Sequence, residues 1–195
     1  MTMANKVKFG LSNCYYAVAT ETTGGYSYAT PVALPGAVNL SLDQEGDTNK
    51  FRADNIDYYV SISNNGYSGD LELALVPESF MTDVMGEYSD STAGLQYERA
   101  DAKPKAFALL GQFEGDANAT RWILYNCKAT RPAVASQTTE ETIEPVTETL
   151  SITATAVNQT IASTVVPLVK AKCKPGDAAY STFFSSVKLP QTVAT

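Results

Sequence analysis

Histidine is absent from all 195 residues. Without imidazole there is no Ser-His-Asp or Cys-His nucleophile system, no imidazole metal ligand and no histidine switch near neutral pH. Cysteine is scarce. Cys14, Cys127 and Cys173 form an odd, widely spaced set without a CxxC pair, which fits free buried thiols and excludes a dense secreted disulfide scaffold. No uninterrupted apolar run approaches the roughly 20 residues that a membrane helix needs, and the first residues lack a secretory-signal pattern. The expectation is a protein made in the cytoplasm with no membrane role. Positive charge is also short: 14 Lys and Arg stand against 21 Asp and Glu, for a formal net charge of −7. Such a surface repels phosphate backbones on average, which argues against a protein that grips DNA. Fixed-period repeats and heptad arrays are missing too, so solenoids and coiled coils are disfavoured.

What is present suffices for a packed interior. The chain is 44% hydrophobic, 10% aromatic and only 18% charged, a composition that folds, at a length one core can serve. A single domain over residues 1–195 is expected. Its dominant pattern is period-2 alternation, the signature of strands with one face on a core. Val7, Phe9, Leu11, Tyr15 and Ala17 share a parity, and Gly24-Gly25 offers a turn for a first hairpin. After Pro35-Gly36, the set Val38, Leu40 and Leu42 predicts another strand, followed by a polar run read as a loop. Ile56, Tyr58, Val60 and Ile62 alternate, Asn65-Gly66 is a turn signal, and Tyr67, Leu71, Leu73 and Leu75 alternate again, which reads as the clearest hairpin.

Helical signals are few. Pro77 suits a first turn, Phe80/Val84 and Met81/Met85 are i,i+4 pairs, and Gly86 fits a left-handed stop, so a short helix is expected there. Phe107, Leu109 and Phe113, a turn at 115–118 and the strand-forming segment 121–127 predict a hairpin. Residues 131–145, rich in polar residues and holding two prolines, predict an exposed connection or arm. Strands resume around Leu150 and Ile152 and over 165–172, where Pro167 demands an edge or a bulge. Tyr180, Phe183, Phe184 and Val187 have helical spacing behind a capping Asp177, which predicts a short C-terminal helix. The fold class expected is therefore mainly β, a barrel or sandwich with one flanking short helix, a C-terminal short helix and long loops.

Residues that might carry chemistry have plainer explanations. Paired carboxylates serve glycosidase-type hydrolysis, yet Asp70/Glu72 and Glu140/Glu141 read as solvated faces among many acids. Asp43, Glu45, Asp47 and Asn49 alternate like oxygen ligands for Ca²⁺, but Gly46 stands fourth rather than sixth in the loop and no terminal Glu matches. Residues 66–69 carry two glycines without a P-loop lysine. Asn118-Ala119-Thr120 and Asn158-Gln159-Thr160 match a glycosylation acceptor, which matters only in a secretory pathway. The expectation is no catalytic residue, no cofactor, no metal and no enzyme.

Six segments, in order, carry a resemblance: NKVKFGLSNCYYAV at 5–18, PGAVNLSLD at 35–43, ADNIDYY at 53–59, NNGYSGDLELALVP at 64–77, LYNC at 124–127 and IEPVTETLSITA at 143–154. Together they resemble the major tail protein family of long, non-contractile-tailed phages and prophages of Gram-positive bacteria. Residues 156–167 fit that pattern least, so their conformation is left open. The resemblance implies a tail-tube β-barrel or sandwich, a virion tail location, and hexameric rings stacked into a conduit for DNA delivery. It further implies as partners the chain itself, a tape measure protein, a tail terminator and distal tail or baseplate proteins, with DNA passing through the lumen unbound. The polar stretches 43–55 and 131–145 are then candidate extended loops reaching neighbouring subunits. Their candidate interface residues are Asp43, Glu45, Asp47, Phe51, Asp54, Asn55, Arg131, Pro132, Glu140, Glu141, Glu144 and Pro145. A capsid decoration or other virion β-protein is the alternative, and a carboxylate-dependent hydrolase a distant one.

Overall fold

A computed structural model of the chain describes residues 5–138 and 145–193. It is mainly β and antiparallel throughout. The strands are β1 (Lys8–Thr22), β2 (Gly25–Tyr28), β3 (Val32–Ala33), β4 (Ala37–Glu45), β5 (Thr48–Ala53), β6 (Ile56–Ile62) and β7 (Gly66–Leu73). A helical turn, α1 (Glu78–Phe80), widens into a π-type turn over Met81–Met85. There follow β8 (Tyr88–Asp90), β9 (Leu95–Tyr97), β10 (Phe107–Gly115), β11 (Thr120–Ala129), β12 (Glu148–Ala154), β13 (Val157–Ile161), β14 (Thr164–Leu168) and β15 (Lys170–Cys173).

The main sheet runs β2-β1-β10-β11-β12-β7-β4, with β15 added on β11 and β3 on β1. β11 splits its free edge: residues 121–124 pair with β15 and residues 127–129 with β12. The sheet curls so that β4 comes near β1, and just beyond β3 the Leu34 amide donates to Cys14 O at 2.8 Å. Inside the curl lies the larger core, in which Tyr16, Leu71, Leu73, Phe107, Leu109 and Leu150 are fully buried together with Phe80 and Met85 of the helical turns. Phe80 meets Tyr16 and Phe107 edge-on, with centroids 5.0 and 5.4 Å apart, a favoured aromatic geometry. Each such side chain adds roughly 1.5–3 kcal/mol of burial.

A second core lies on the outer face of β1, β10 and β11, where Ala17, Ala108, Leu110, Ile123, Tyr125 and Phe183 pack. Two faces of β1 are thus buried, which its sequence parity does not foretell. Register shifts between Phe9 and Leu11 and between Ser12 and Tyr15, with Asn13 at φ 50°, rotate the strand between them. Val7 and Phe9 consequently face solvent, while Cys14 and Tyr16 enter the inner core and Ala17 the outer one. A bulge is the device that breaks a period-2 reading.

Several expectations hold. The hairpins at 8–28 and 107–129 form, the turn at 77–86 ends on Gly86 at φ 78°, and Pro167 sits in β14 of a two-stranded ribbon with β13. Others need correction. The strands at 56–62 and 66–73 do not pair with each other: β6 pairs with β5, and β7 lies between β12 and β4. The stretch 43–55, expected as a loop, is the end of β4, a short joint, β5 and a turn. The C-terminal helix is absent. Residues 177–186 form successive turns with i→i+3 bonds from Tyr180, Phe183 and Ser185. Asp177 accepts from the Lys174 amide behind it rather than capping forward. The carbonyl of Tyr180 accepts from Arg121 and that of Lys188 from Tyr125, so β11 anchors the segment at both ends.

Candidate functional site

β5 and β6 form a two-stranded ribbon outside the main sheet. Its turn is Asp54-Asn55, both at positive φ (52° and 63°) between the paired Ala53 and Ile56, the conformation of a two-residue type I′ hairpin. The ribbon leaves the main sheet from Glu45 and Gly66, the paired ends of β4 and β7. At the joint the Asn65 amide donates to Glu45 O at 2.8 Å, the Ser63 amide to Asp47 O at 3.0 Å, and the Asp47 amide to Ser63 Oγ at 2.8 Å. Gly46 crosses so close to the Ser63 carbonyl that a Cβ there would overlap it.

This arm carries its apolar side chains in the open. Phe51 is 62% exposed, Tyr58 70% and Ile62 73%, and Ile56, Tyr59 and Val60 are exposed as well. Val60 and Ile62 share a face by alternation, Phe51 stands opposite Tyr59 across the ribbon, and Tyr58 falls at the register shift between the Phe51/Tyr59 and Arg52/Asp57 pairs. The charges beside them are paired locally, with Lys50 Nζ 3.0 Å and Arg52 Nε 3.4 Å from Asp57.

The candidate interface residues fall into two groups. Asp43 and Glu45 end β4, Asp47 lies in the joint, Phe51 is on β5, and Asp54 and Asn55 make the tip, so all six belong to one arm and its base. The second group is elsewhere. Arg131 is committed internally: its Nε lies 2.5 Å from Glu98 Oε1 and its guanidinium donates to the carbonyls of Met85 and Ala102. Pro132 begins an irregular and mostly exposed segment to residue 138, and Pro145 opens the exposed approach to β12. Glu140, Glu141 and Glu144 lie outside the described residues.

Sequence reasoning reached the polar part of the arm and Phe51 but missed the apolar side chains of β6, because β6 reads as an ordinary half-buried strand. The available signal was Asp54-Asn55, a dipeptide that tolerates left-handed φ. A second feature was also missed. Beside the arm's base the curled sheet opens into a cavity of about 700 Å³ between Leu40 and Leu42 of β4, Tyr67 of β7, Phe113 of β10 and Trp122 and Leu124 of β11. Four lysines line this mouth, Lys6, Lys8, Lys170 and Lys172, against one carboxylate, Glu114. Lys8 Nζ lies 4.4 Å from the Phe113 ring centre and Lys170 Nζ 4.3 Å from that of Tyr67. The Glu114 carboxyl is held below its usual range by hydrogen bonds from Gln112 and Ser12.

Reactive groups are not evident. Cys14, Cys127 and Cys173 are free and buried, and burial lifts the Cys14 thiol to about 11 and the Cys127 thiol to about 12. Thiols so shifted hold little thiolate at neutral pH. Among the described residues no group of three His, Cys, Asp or Glu side chains is placed to share a metal ion, and no helix is long and apolar enough to cross a membrane. No protein-family model matches the chain, and no curated protein matches it significantly.

Proposed function

We propose that this chain is a structural building block that polymerises with copies of itself, forming the stacked hexameric rings of a phage tail tube. The observation that carries the reading is the arm. A lone two-stranded ribbon is marginal in water, and clustered exposed apolar residues mark a surface meant to be covered. Six large apolar side chains on β5 and β6 are left without a core of their own. The ordered sequence resemblance names the assembly, and the mainly β antiparallel fold is compatible with it.

Repeated heterologous contacts close into a ring, and a second contact set with a screw operation stacks rings into a tube. Edge strands supply further sites: β4 ends one side of the main sheet, and its unpaired edge is satisfied when a neighbour covers it. The net charge of −7 suits a conduit, because like charge keeps DNA from adhering to the wall. Under this reading the tape measure, terminator and distal tail proteins bind the finished tube, and the chain performs no reaction.

Negative-stain microscopy of the purified protein over a range of concentrations, alone and with tail-tip proteins, tests the proposal. Rings or tubes are expected from the native chain, and a Tyr58→Ser/Ile62→Ser variant is expected to stay monomeric with an unchanged melting curve. A native protein that remains a monomer under every such condition overturns it.

A further inference from the structure

Strand register sets the lysines of the mouth on the same surface as its aromatic floor. Trp122 and Leu124 of β11 belong to the inner core, and their partners on β15 are Lys172 and Lys170. Residues paired across antiparallel strands share a face. Lys8 of β1 likewise stands opposite Gly115, which has the parity of Phe113 along β10. Four adjacent strands, in the order β1, β10, β11 and β15, therefore carry lysines at both edges. Between them Phe113 stacks on Trp122 with ring centres 5.3 Å apart. The two lysine edges stand three strand spacings apart, about 14 Å, and Leu40, Leu42 and Tyr67 complete the lining.

These lysines have no counter-charge of their own. The chain holds 21 Asp and Glu, yet none of Lys6, Lys8, Lys170 and Lys172 forms an ion pair among the described residues. Glu114, the one carboxylate at the mouth, already accepts from Ser12 and Gln112. The ammoniums of Lys8 and Lys170 rest over rings instead. Like charges gathered in this way repel, and an anion between them removes that cost. Trp122 adds a donor: it is 8% exposed, and its indole N–H is buried without an acceptor among the described residues. Buried donors are seldom left unpaired, and an oxyanion is an acceptor. The cavity's volume of about 700 Å³ falls in the range of small-molecule sites, which are mostly apolar with a few polar groups that fix orientation.

We propose that the mouth is a binding site for an anionic amphiphile, an acyl chain that ends in a carboxylate or phosphate. The chain covers Leu40, Leu42 and Phe113, and the head group meets the lysines. Both halves of the ligand are needed. A cationic amphiphile of the same length repels the lysines, and an inorganic anion leaves the apolar floor in water. The inference uses neither the β5–β6 ribbon nor the self-assembly reading.

Titration with laurate below its micelle concentration tests it, read by calorimetry and by the emission of Trp122, the only tryptophan. The native chain should bind laurate with a change in emission, and should bind dodecyltrimethylammonium and inorganic phosphate about tenfold more weakly or worse. Lys8→Gln/Lys170→Gln, at exposed positions, should melt as the native chain does and lose about tenfold or more in laurate affinity. Should that pair fail to fold, Lys6→Gln/Lys172→Gln makes the same test. Rising salt should weaken binding, and Tyr58→Ser/Ile62→Ser, which alters only the exposed ribbon, should bind laurate as the native chain does. Cosedimentation with phosphatidylglycerol vesicles, lost in the lysine variant, would assign the ligand to a lipid surface; laurate binding without it assigns a free acid, and either result supports the site. The proposal is overturned if laurate does not bind, if the lysine variants bind it like the native chain, if either control ligand binds equally well, or if the ribbon variant alone abolishes binding. A chain that binds laurate yet never self-associates keeps this inference and loses the self-assembly reading.

Discussion

Trp122 lies across Gly111, its register partner on the neighbouring strand, so closely that a β-carbon at 111 would overlap the indole ring. The wall of the mouth depends on that missing side chain. Gly111→Ala is expected to push the ring off Phe113 and to destabilise the fold by about 1–3 kcal/mol, the usual cost of overpacking. Urea unfolding followed by tryptophan emission reads both effects, because a single tryptophan reports. A native-like midpoint and emission would show that the wall yields freely.

Tyr16 is buried and donates to Asp83 Oδ2 at 2.9 Å, and burial first, then Asp83, lifts its phenol to about 12. Tyr28 and Tyr125 are shifted upward by burial as well. An unfolded phenol titrates near 10, so the folded state holds these protons more tightly. Their contribution to stability is complete below about pH 10 and is lost as pH rises through the folded value. Unfolding free energy should therefore fall steeply between about pH 10 and 12. Tyr16→Phe should show a shallower fall, and should lose about 1 kcal/mol at neutral pH with the hydrogen bond. An equal slope in both proteins would contradict the assignment.

The three thiols offer a test of burial. With Cys14, Cys127 and Cys173 all shifted upward by burial, a thiol reagent at pH 8 should label the native protein very slowly and all three sites on denaturation. Fast labelling of any one site in the native protein would mean that its pocket opens readily.

Arg121 fastens the C-terminal turns. Its guanidinium stands 4.0 Å from the Tyr180 ring and 4.8 Å from that of Phe184, and donates to the Tyr180 carbonyl. Arg121→Ala should cost about 1–3 kcal/mol and expose residues 177–193 to proteolysis. Arg121→Lys should recover only part, since an ammonium does not stack as a planar fork does. Full rescue by lysine would reduce the role of Arg121 to charge alone.

The joint at Gly46 sets the arm's direction. Gly46→Val places a side chain where the Ser63 carbonyl stands, so the arm should swing. The main sheet lies beyond the joint, and its melting temperature should change little while self-association drops. A collapse of the whole fold would show that arm and main sheet are one cooperative unit.

Strands and turns were legible in the chain because their causes are local. Alternating Phe107, Leu109 and Phe113, the turn before Arg121, and Pro77 to Gly86 each carry their conformation in a few adjacent residues. The helix expected at 180–187 is replaced by i→i+3 turns, and the segment's anchors, Arg121 on the Tyr180 carbonyl and Tyr125 on that of Lys188, come from some 60 residues earlier, where no local pattern reports them. The candidate arm was half legible. Its acids stood out by composition, whereas Tyr58, Val60 and Ile62 carry the same period-2 signal as a core strand.

The sequence alone determined the class of the protein, mainly β without imidazole chemistry, since side-chain period and residue inventory are properties of the chain itself. Tertiary structure decided pairing and destination. Which strand joins which is a matter of contacts between distant residues, and β6 takes β5 while β7 takes β4 and β12. An apolar face says only that it must leave water. Whether it meets its own core or another molecule is settled by whether the folded chain has a face left to cover it, and over β5 and β6 it has none among the described residues.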